Sequence, residues 1–458
     1  MSALDPEALA RALPPAAGGL LAAVRAEAER RGIALWLVGG PVRDLLLRRP
    51  LRDLDLLLEP HGEGGAEALA RAALPGARVA GHDRFGTVRV ADGNAAIDLA
   101  VARREHYARP GALPAVEPGP VEDDLRRRDF TVNALALALT RAARRGRPAL
   151  LDPGGAREDL EARVLRVFHA RSFHDDPTRA LRAARLAARL GFRLARGTRS
   201  ALRDALRDGA FAAVSGERFR RELEQVFSDA ALGLDPAAAL RLLDEWHVLG
   251  ALEPGLGLPA AAAPALRRVG RALAGPPWPP QRARPWVTGF AVWLAAVDPT
   301  LRRRTLRRLA VRGEGAARIT ALPRARVRWQ RELARARGRG AIDAALAPID
   351  DESLLALWSL ATPADRRRIA RWASEDRGRR APVTGADLVA AGLAGPVVGV
   401  ALARIRAAFL DGAVREREAA LALAREVAAR EARRARRHAR RGAGAAPDAG
   451  CPPDPDLP

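Results

Sequence analysis

The chain has 458 residues, 48% hydrophobic and 29% charged, which suits a soluble globular protein of two to four domains rather than a single core. Its longest uncharged apolar stretch, residues 388–403, is shorter than the ~20 residues of a membrane span; Asp5 and Glu7 precede any apolar run, and the lone Cys451 excludes an internal disulfide or a cysteine-based zinc site, so a cytoplasmic location is expected. The 77 basic residues against 54 acidic ones give a net charge of +23 and point to a polyanionic partner such as RNA, although every basic residue is arginine, a compositional bias that leaves plain solubility as a competing reason.

In chain order, residues 1–30 contain an amphipathic helix, with Leu20, Leu21, Val24 and Ala28 at helical spacing. Residues 34–38 form a short apolar run that ends at Gly39-Gly40, which predicts a buried strand turning into a loop. Further strands are expected at 54–58, 86–90 and 95–101, with helical patterns at 41–48 and 65–73 between them. From about residue 156 the pattern becomes helical and stays so, broken by the proline cluster at 276–280. Residues 415–441 read as a charged helix, and 442–458 as a disordered end.

Four segments carry chemistry. In the first, Gly39 and Gly40 follow a buried strand and let backbone approach a phosphate, while the next helix offers unpaired amides and Arg43 in its first turn. A Gly-Gly turn before a helix is also a common structural device. The second is Arg52-Asp53-Leu54-Asp55. Residues two apart on a strand share a face, so Asp53 and Asp55 project together and suit Mg²⁺ beside a triphosphate; two solvated acids at a strand end are the bland alternative. Asp98, in another strand-like segment, is a third candidate acid. In the third, Arg128, Asp129 and Asn133 offer contacts to phosphate and ribose, or simply form a basic turn.

The fourth segment runs from Phe173 through Asp175, Asp176 and Pro177 to Arg185. Asp176 before Pro177 predicts a helix start, and Arg179, Arg182 and Arg185 recur every three residues on one side of that helix. A carboxylate beside a guanidinium matches the amino donor and ring-nitrogen acceptor shared by cytosine and adenine, but not guanine or uracil. An Asp/Arg pair can therefore select C and A without a nucleic-acid template. With one tyrosine, Tyr107, and 4% aromatics, an extended base-stacking platform is not expected.

In this order, LVGGPVRD, RDLDLLLE, RRDFTVNALAL and DDPTRALRAARLAARLGF, joined by ERFRRELEQVF at 217–227, resemble the bacterial class II CCA-adding enzyme and poly(A) polymerase family of the DNA polymerase beta superfamily. The resemblance covers roughly residues 33–230. It implies an α/β nucleotidyltransferase head, a mixed sheet with helices, followed by all-α neck, body and tail domains. The corresponding divisions are an N-terminal helix (1–30), head (31–150), neck (151–235), body (236–340), tail (341–414) and a basic helix with the C-terminus (415–458). It also implies Mg²⁺ on Asp53 and Asp55, nucleotide contacts from Gly40, Arg43 and Arg128, and base selection by Asp176, Arg179, Arg182 and Arg185; Gly39, Asp129 and Asn133 are nucleotide-binding candidates from the residue pattern itself. Asp175 stands where the family has Glu, one methylene longer, and 102–120 falls where the head's mobile segment belongs.

The implied activity is addition of C, C and A to the 3′ end of tRNA from CTP and ATP. Poly(A) tailing, partial CC or A addition, and a non-catalytic RNA-binding protein are the alternatives. The segment 383–388 with 395–399 resembles the tail of CCA-adding members, whereas the basic run 429–441 resembles poly(A) polymerase extensions. His174-Asp175 is a phosphohydrolase doublet by letters only, and no such activity is expected.

Overall fold

In the computed structural model, residues 9, 13–51, 53–60, 65–82, 87–93, 95–106, 115–275, 278 and 283–443 are described, with side chains of 82, 106 and 438–443 left aside. The chain divides into two compact units, residues 1–260 with 297–313 and residues 261–296 with 314–458.

The first unit opens with the helix Pro15–Arg30, whose buried face is Leu20, Leu21, Val24 and Ala28, as its spacing predicts. A seven-stranded sheet follows, built from β1 (Leu35–Val38), β2 (Asp55–Leu58), β3 (Arg78–His82), β4 (Thr87–Asp92), β5 (Ala95–Val101), β8 (Ala136–Ala138) and β9 (Leu150–Leu151), while β6 (Arg103–His106) and β7 (Ala115–Pro118) pair separately. Its order is β3-β4-β5-β2-β1-β8-β9. Within this sheet, among the described residues, only β2 and β5 pair in parallel, in a register that sets Asp55 beside Asp98. β1 lies between β2 and β8 and is buried throughout, which is why it reads as an unbroken apolar run. Trp36, Val38, Leu57, Val121, Leu125 and Ala136 share its core.

Thr140, just after β8, ties the end of that strand to the start of β1. Its hydroxyl accepts from the Leu35 amide at 3.0 Å and donates to the Ile33 carbonyl at 2.9 Å. Beyond the sheet come the helices Arg179–Leu190, Arg196–Arg207, Gly216–Ala230 and Pro236–Glu245, with Pro299–Arg308 returning to this unit. At Gly216 a Cβ would fall 1.6 Å from the Arg308 carbonyl oxygen, so only glycine lets these two segments meet.

The regular elements of the second unit, among its described residues, are all helices. One core gathers Trp278, Leu333, Leu346, Leu354 and Trp372. Asp343, buried beneath it, accepts from the Trp372 indole at 2.8 Å and from Arg406 at 2.6 and 2.8 Å. A second core holds Val383, Leu388, Ile405, Ala420 and Ala424, and packs the helix Arg417–Ala443 onto Pro396–Leu410.

The structure corrects several sequence expectations. Asp53 precedes β2 instead of lying in it, because the strand pairing begins at Asp55. The helix expected to start at Pro177 starts at Arg179 with Thr178 before it, and Asp176 ends the short helix Ser172–Asp175. Strands β3, β6, β7, β8 and β9 lie outside the segments whose sequence predicts a strand. β8 is three residues of Ala and Leu, and its conformation comes from pairing with β1 rather than from propensity. Within 102–120, β6 and β7 form an antiparallel pair, and 107–114 lie outside the described residues. The prolines of the 276–280 cluster, Tyr107, Cys451 and residues 444–458 also lie outside them. The turn at 383–388 is a capping box, in which Thr384 and Asp387 satisfy each other's backbone amides. No helix among the described residues is long and apolar enough to cross a membrane.

Candidate nucleotide-binding and catalytic cleft

The four segments meet in one cleft of about 690 Å³. Gly40, Arg43, Asp53, Asp55, Arg128, Asp129, Asn133, Asp176, Arg179, Arg182 and Arg185 all line it. Gly39, Asp98 and Asp175 do not. The cleft lies where β1 ends and β2 begins, beside the helix Arg179–Leu190, so the groups expected to bind phosphate and to read the base face a common space.

At the phosphate end, Gly39 turns the chain at φ +74°, a conformation that glycine adopts freely, and Arg128 lies so close that a Cβ there would meet its Nη1 at 2.6 Å. The helix Gly40–Leu46 follows, with Arg43 buried in its first turn. Arg43 donates to Asp44 at 2.9 Å and to the Asn133 side-chain oxygen at 2.5 Å. Burial pushes the Arg43 guanidinium down, and Asp44 works against that shift. Arg128 bonds Asp124 at 3.1 Å and the Asn133 carbonyl at 3.3 Å. These guanidiniums are aimed before any ligand arrives.

The acids lie beside them. Burial pushes the Asp55 carboxyl up to about 6; Arg128 and Arg43 oppose this, while Asp98 and Asp53 add to it. Asp98 is also raised, by burial and by Asp53, against the pull of Arg89. Its carboxylate is turned to Arg89 at 3.1 Å. Among the described residues no group of three or more acids, histidines or cysteines is placed to hold a metal. Two carboxylates remain, Asp53 and Asp55. Burial and the nearby Asp98 and Asp53 favour protonation of Asp55, a strain that a hard divalent cation relieves, and Mg²⁺ commonly takes one or two carboxylates with substrate phosphates completing its shell.

At the base end, Asp176 Oδ1 accepts from the Thr178 amide at 3.0 Å, the Thr178 hydroxyl at 2.7 Å and Arg218 at 2.8 Å. Arg179, buried, donates to the Ser172 hydroxyl at 2.6 Å and the Arg127 carbonyl at 3.3 Å. Asp175 instead lies 3.7 Å from His169, and its shorter side chain forms no ion pair with Arg179. Arg182 pairs with Asp129 at 2.9 Å, and Arg189 with Asp44 at 2.9 Å, which fastens the helix Arg179–Leu190 to the sheet domain at two points. Asp129 is saturated by Arg182, the Asn133 amide at 3.1 Å and the Phe130 amide at 2.9 Å. Burial works to raise this carboxyl, but Arg182, Asn133 and Arg179 outweigh it and hold it below the usual range. Asp129 thus orients Arg182 and Asn133. Arg185 is held by Glu222 and Asp229, each at 3.2 Å.

Sequence reasoning missed Arg103, Glu105, Arg127, Arg189, Arg218, Gln225 and Asp229, all of which line the cleft. A signal existed for part of this set. Positions 218, 222, 225 and 229 fall on one face of the helix Gly216–Ala230, and that face turns to the cleft.

A seven-stranded mixed sheet carrying paired acids at one strand end, followed by helices, is the fold of a nucleotidyltransferase head with a helical remainder. Residues 35–166 match the poly A polymerase head domain. Over 226 residues, 49% of this chain and 56% of the relative, the sequence is 41% identical to a CC-adding tRNA nucleotidyltransferase of Deinococcus radiodurans. Over 246 residues, 53% of this chain and 55% of the relative, it is 36% identical to an A-adding tRNA nucleotidyltransferase of Halalkalibacterium halodurans. The match thus spans only a little over half the length of these relatives. A solved CCA-adding enzyme in its apo form superposes with a TM-score of 0.69 at 25% identity, covering 89% of this chain and 94% of that one. The motifs, the fold and these relatives point to the same family.

Proposed function

We propose that this chain is a tRNA nucleotidyltransferase that adds C, C and A to tRNA 3′ ends from CTP and ATP, releasing pyrophosphate. The observation that carries the reading is the single cleft in which Asp53 and Asp55, Arg43 and Arg128, and Asp176 and Arg179 face one another. Arg43 and Arg128, with the amides at the start of the helix Gly40–Leu46, bind the triphosphate and spread its charge over preset donors. Asp53 and Asp55 would hold Mg²⁺, which supplies Lewis-acid stabilisation of phosphoryl charge when bound. Asp176 accepts from the amino group of C or A and Arg179 donates to its ring nitrogen, so that U and G leave both groups unpaired. Held in this way, the α-phosphorus meets the RNA 3′ oxygen, and the new O–P bond forms as the bond to pyrophosphate breaks. Such an enzyme belongs in the cytoplasm, where its RNA is processed.

The test offers the purified protein Mg²⁺, CTP and ATP with a tRNA lacking CCA, a tRNA ending in CC, and an unstructured RNA. Three nucleotides added to the first tRNA and then a stop support the reading; long A tracts on any RNA, or no addition, overturn it. A second reading, addition of the two C residues only, is favoured by the relative from Deinococcus radiodurans, whose name gives that activity. Two C residues on the first tRNA and none on the second would establish it.

A further inference from the structure

Two groups behind the base-reading pair have no role in the reading above. Arg218 enters from the helix Gly216–Ala230 and bonds Asp176 Oδ1, the same oxygen that already takes the Thr178 amide and hydroxyl. With three donors converging on one oxygen, the carboxylate plane is fixed. Oδ2 makes no hydrogen bond to a described residue, and Asp176 lines the cleft. Ser172, buried to 1% exposure, plays the matching part for Arg179: its hydroxyl takes Nη1 at 2.6 Å, while the Arg127 carbonyl takes Nη2 at 3.3 Å. A guanidinium has five N–H donors in a rigid plane, so anchoring these leaves the plane and the direction of the others determined.

We propose that Arg218 and Ser172 are positioning residues that set base selectivity, Arg218 by orienting the Asp176 carboxylate and Ser172 by orienting the Arg179 guanidinium. The proposal rests on the reading of Asp176 and Arg179 as the groups that meet the incoming base. In this proposal each acts through its partner and not on the base edge. Each fixes the angle at which its partner presents an acceptor or donor, and a tilted partner discriminates less because the penalty for leaving it unpaired shrinks. The two anchors come from different elements, the helix Gly216–Ala230 and the short helix Ser172–Asp175, so they fail independently.

The test measures kcat and KM for ATP, CTP, UTP and GTP, one nucleotide at a time, on tRNA ending in CC and tRNA lacking CCA, for wild type, Arg218→Met, Arg218→Lys, Ser172→Ala and Ser172→Thr. Arg218→Met and Ser172→Ala are expected to narrow the preference for ATP and CTP over UTP and GTP by about 10- to 100-fold, with most of the loss in KM for the correct nucleotides. Arg218→Lys, which keeps a donor, should recover a large part of it, and Ser172→Thr, which keeps the hydroxyl, should do the same. An equal loss on all four nucleotides, or an unchanged preference in a folded variant, overturns the proposal. Should Arg218→Met fail to fold, Ser172→Ala carries the same decision. Binding of labelled ATP and UTP by equilibrium dialysis separates this proposal from the activity beneath it: a wild type that binds ATP over UTP but extends no RNA overturns the activity, and the variants' binding ratios then decide the proposal by the same criterion.

Discussion

Arginine lines both the cleft of the first unit and a groove of the second, yet the two sets are held differently. In the cleft, Arg43, Arg128, Arg182, Arg185, Arg189 and Arg218 each meet an acid of this chain between 2.8 and 3.2 Å. In the groove between Pro396–Leu410 and Arg417–Ala443, Arg430, Arg433, Arg434 and Arg437 form no ion pair with a described residue. The same residue type is therefore an aimed donor in one place and a diffuse positive field in the other. Paired guanidiniums cannot swing to follow a ligand, so they confer orientation and selectivity. Unpaired ones attract any polyanion and confer affinity that salt removes.

The largest effect expected from this contrast is at the acids. Asp55→Asn should lower nucleotide transfer by about 10³-fold, measured in single turnover with saturating RNA; a loss under ten-fold would break the assignment of the cleft's charge order. Arg43→Ala should follow at about 10²-fold, read mainly in KM for the nucleotide triphosphate. Asp129→Asn should cost about 10-fold and bring a loss of selectivity, because it removes the charge that pairs with Arg182 while keeping the arginine. Replacing Arg430, Arg433, Arg434 and Arg437 together by Gln should weaken RNA binding several-fold and leave the choice among nucleotides unchanged. The slope of log Kd against log salt should flatten by about 1 for each phosphate that is no longer neutralised. A change in nucleotide choice from those four would erase the distinction between the two arginine sets.

The smallest effect is on stability and depends on pH. The Asp55 carboxyl is raised in the folded chain from 3.8 to about 6, so the fold binds this proton more tightly than the unfolded chain does. Its stabilising contribution is full below pH ~4 and is lost as pH rises through about 6. In chelator, at pH 8, Asp55→Asn should therefore melt a few degrees above wild type, a gain on the order of 2 kcal/mol. At pH 4 the two should coincide. Equal melting at both pH values would show that Asp55 carries no burial penalty.

Much of the cleft is legible in the sequence because its parts are local. A Gly-Gly turn after a buried run, two acids two residues apart and an Arg at every third position are written in short windows, and Gly40, Asp53, Asp55, Arg43 and Arg179 follow from them. Arg103, Arg189 and Arg218 stay hidden because their partners are not marked by any local pattern; the Arg189–Asp44 pair spans 145 residues. In a chain without lysine, one more arginine also carries little information by itself. Of the strands, β1 and β5 announce themselves by apolar content, whereas β8 depends on its neighbours. Asp98 is legible as a strand acid, but nothing local indicates that Arg89 claims it.

The two ion pairs that hold the helix Arg179–Leu190, Arg182 to Asp129 and Arg189 to Asp44, stand seven residues apart, close to two full turns. A rod held at one point pivots; held at two points on one side, it keeps its bearing as well as its distance. Any change in which base the cleft accepts is then expected from side-chain rotation or from the RNA itself, because turning the helix would first break one of these two ion pairs.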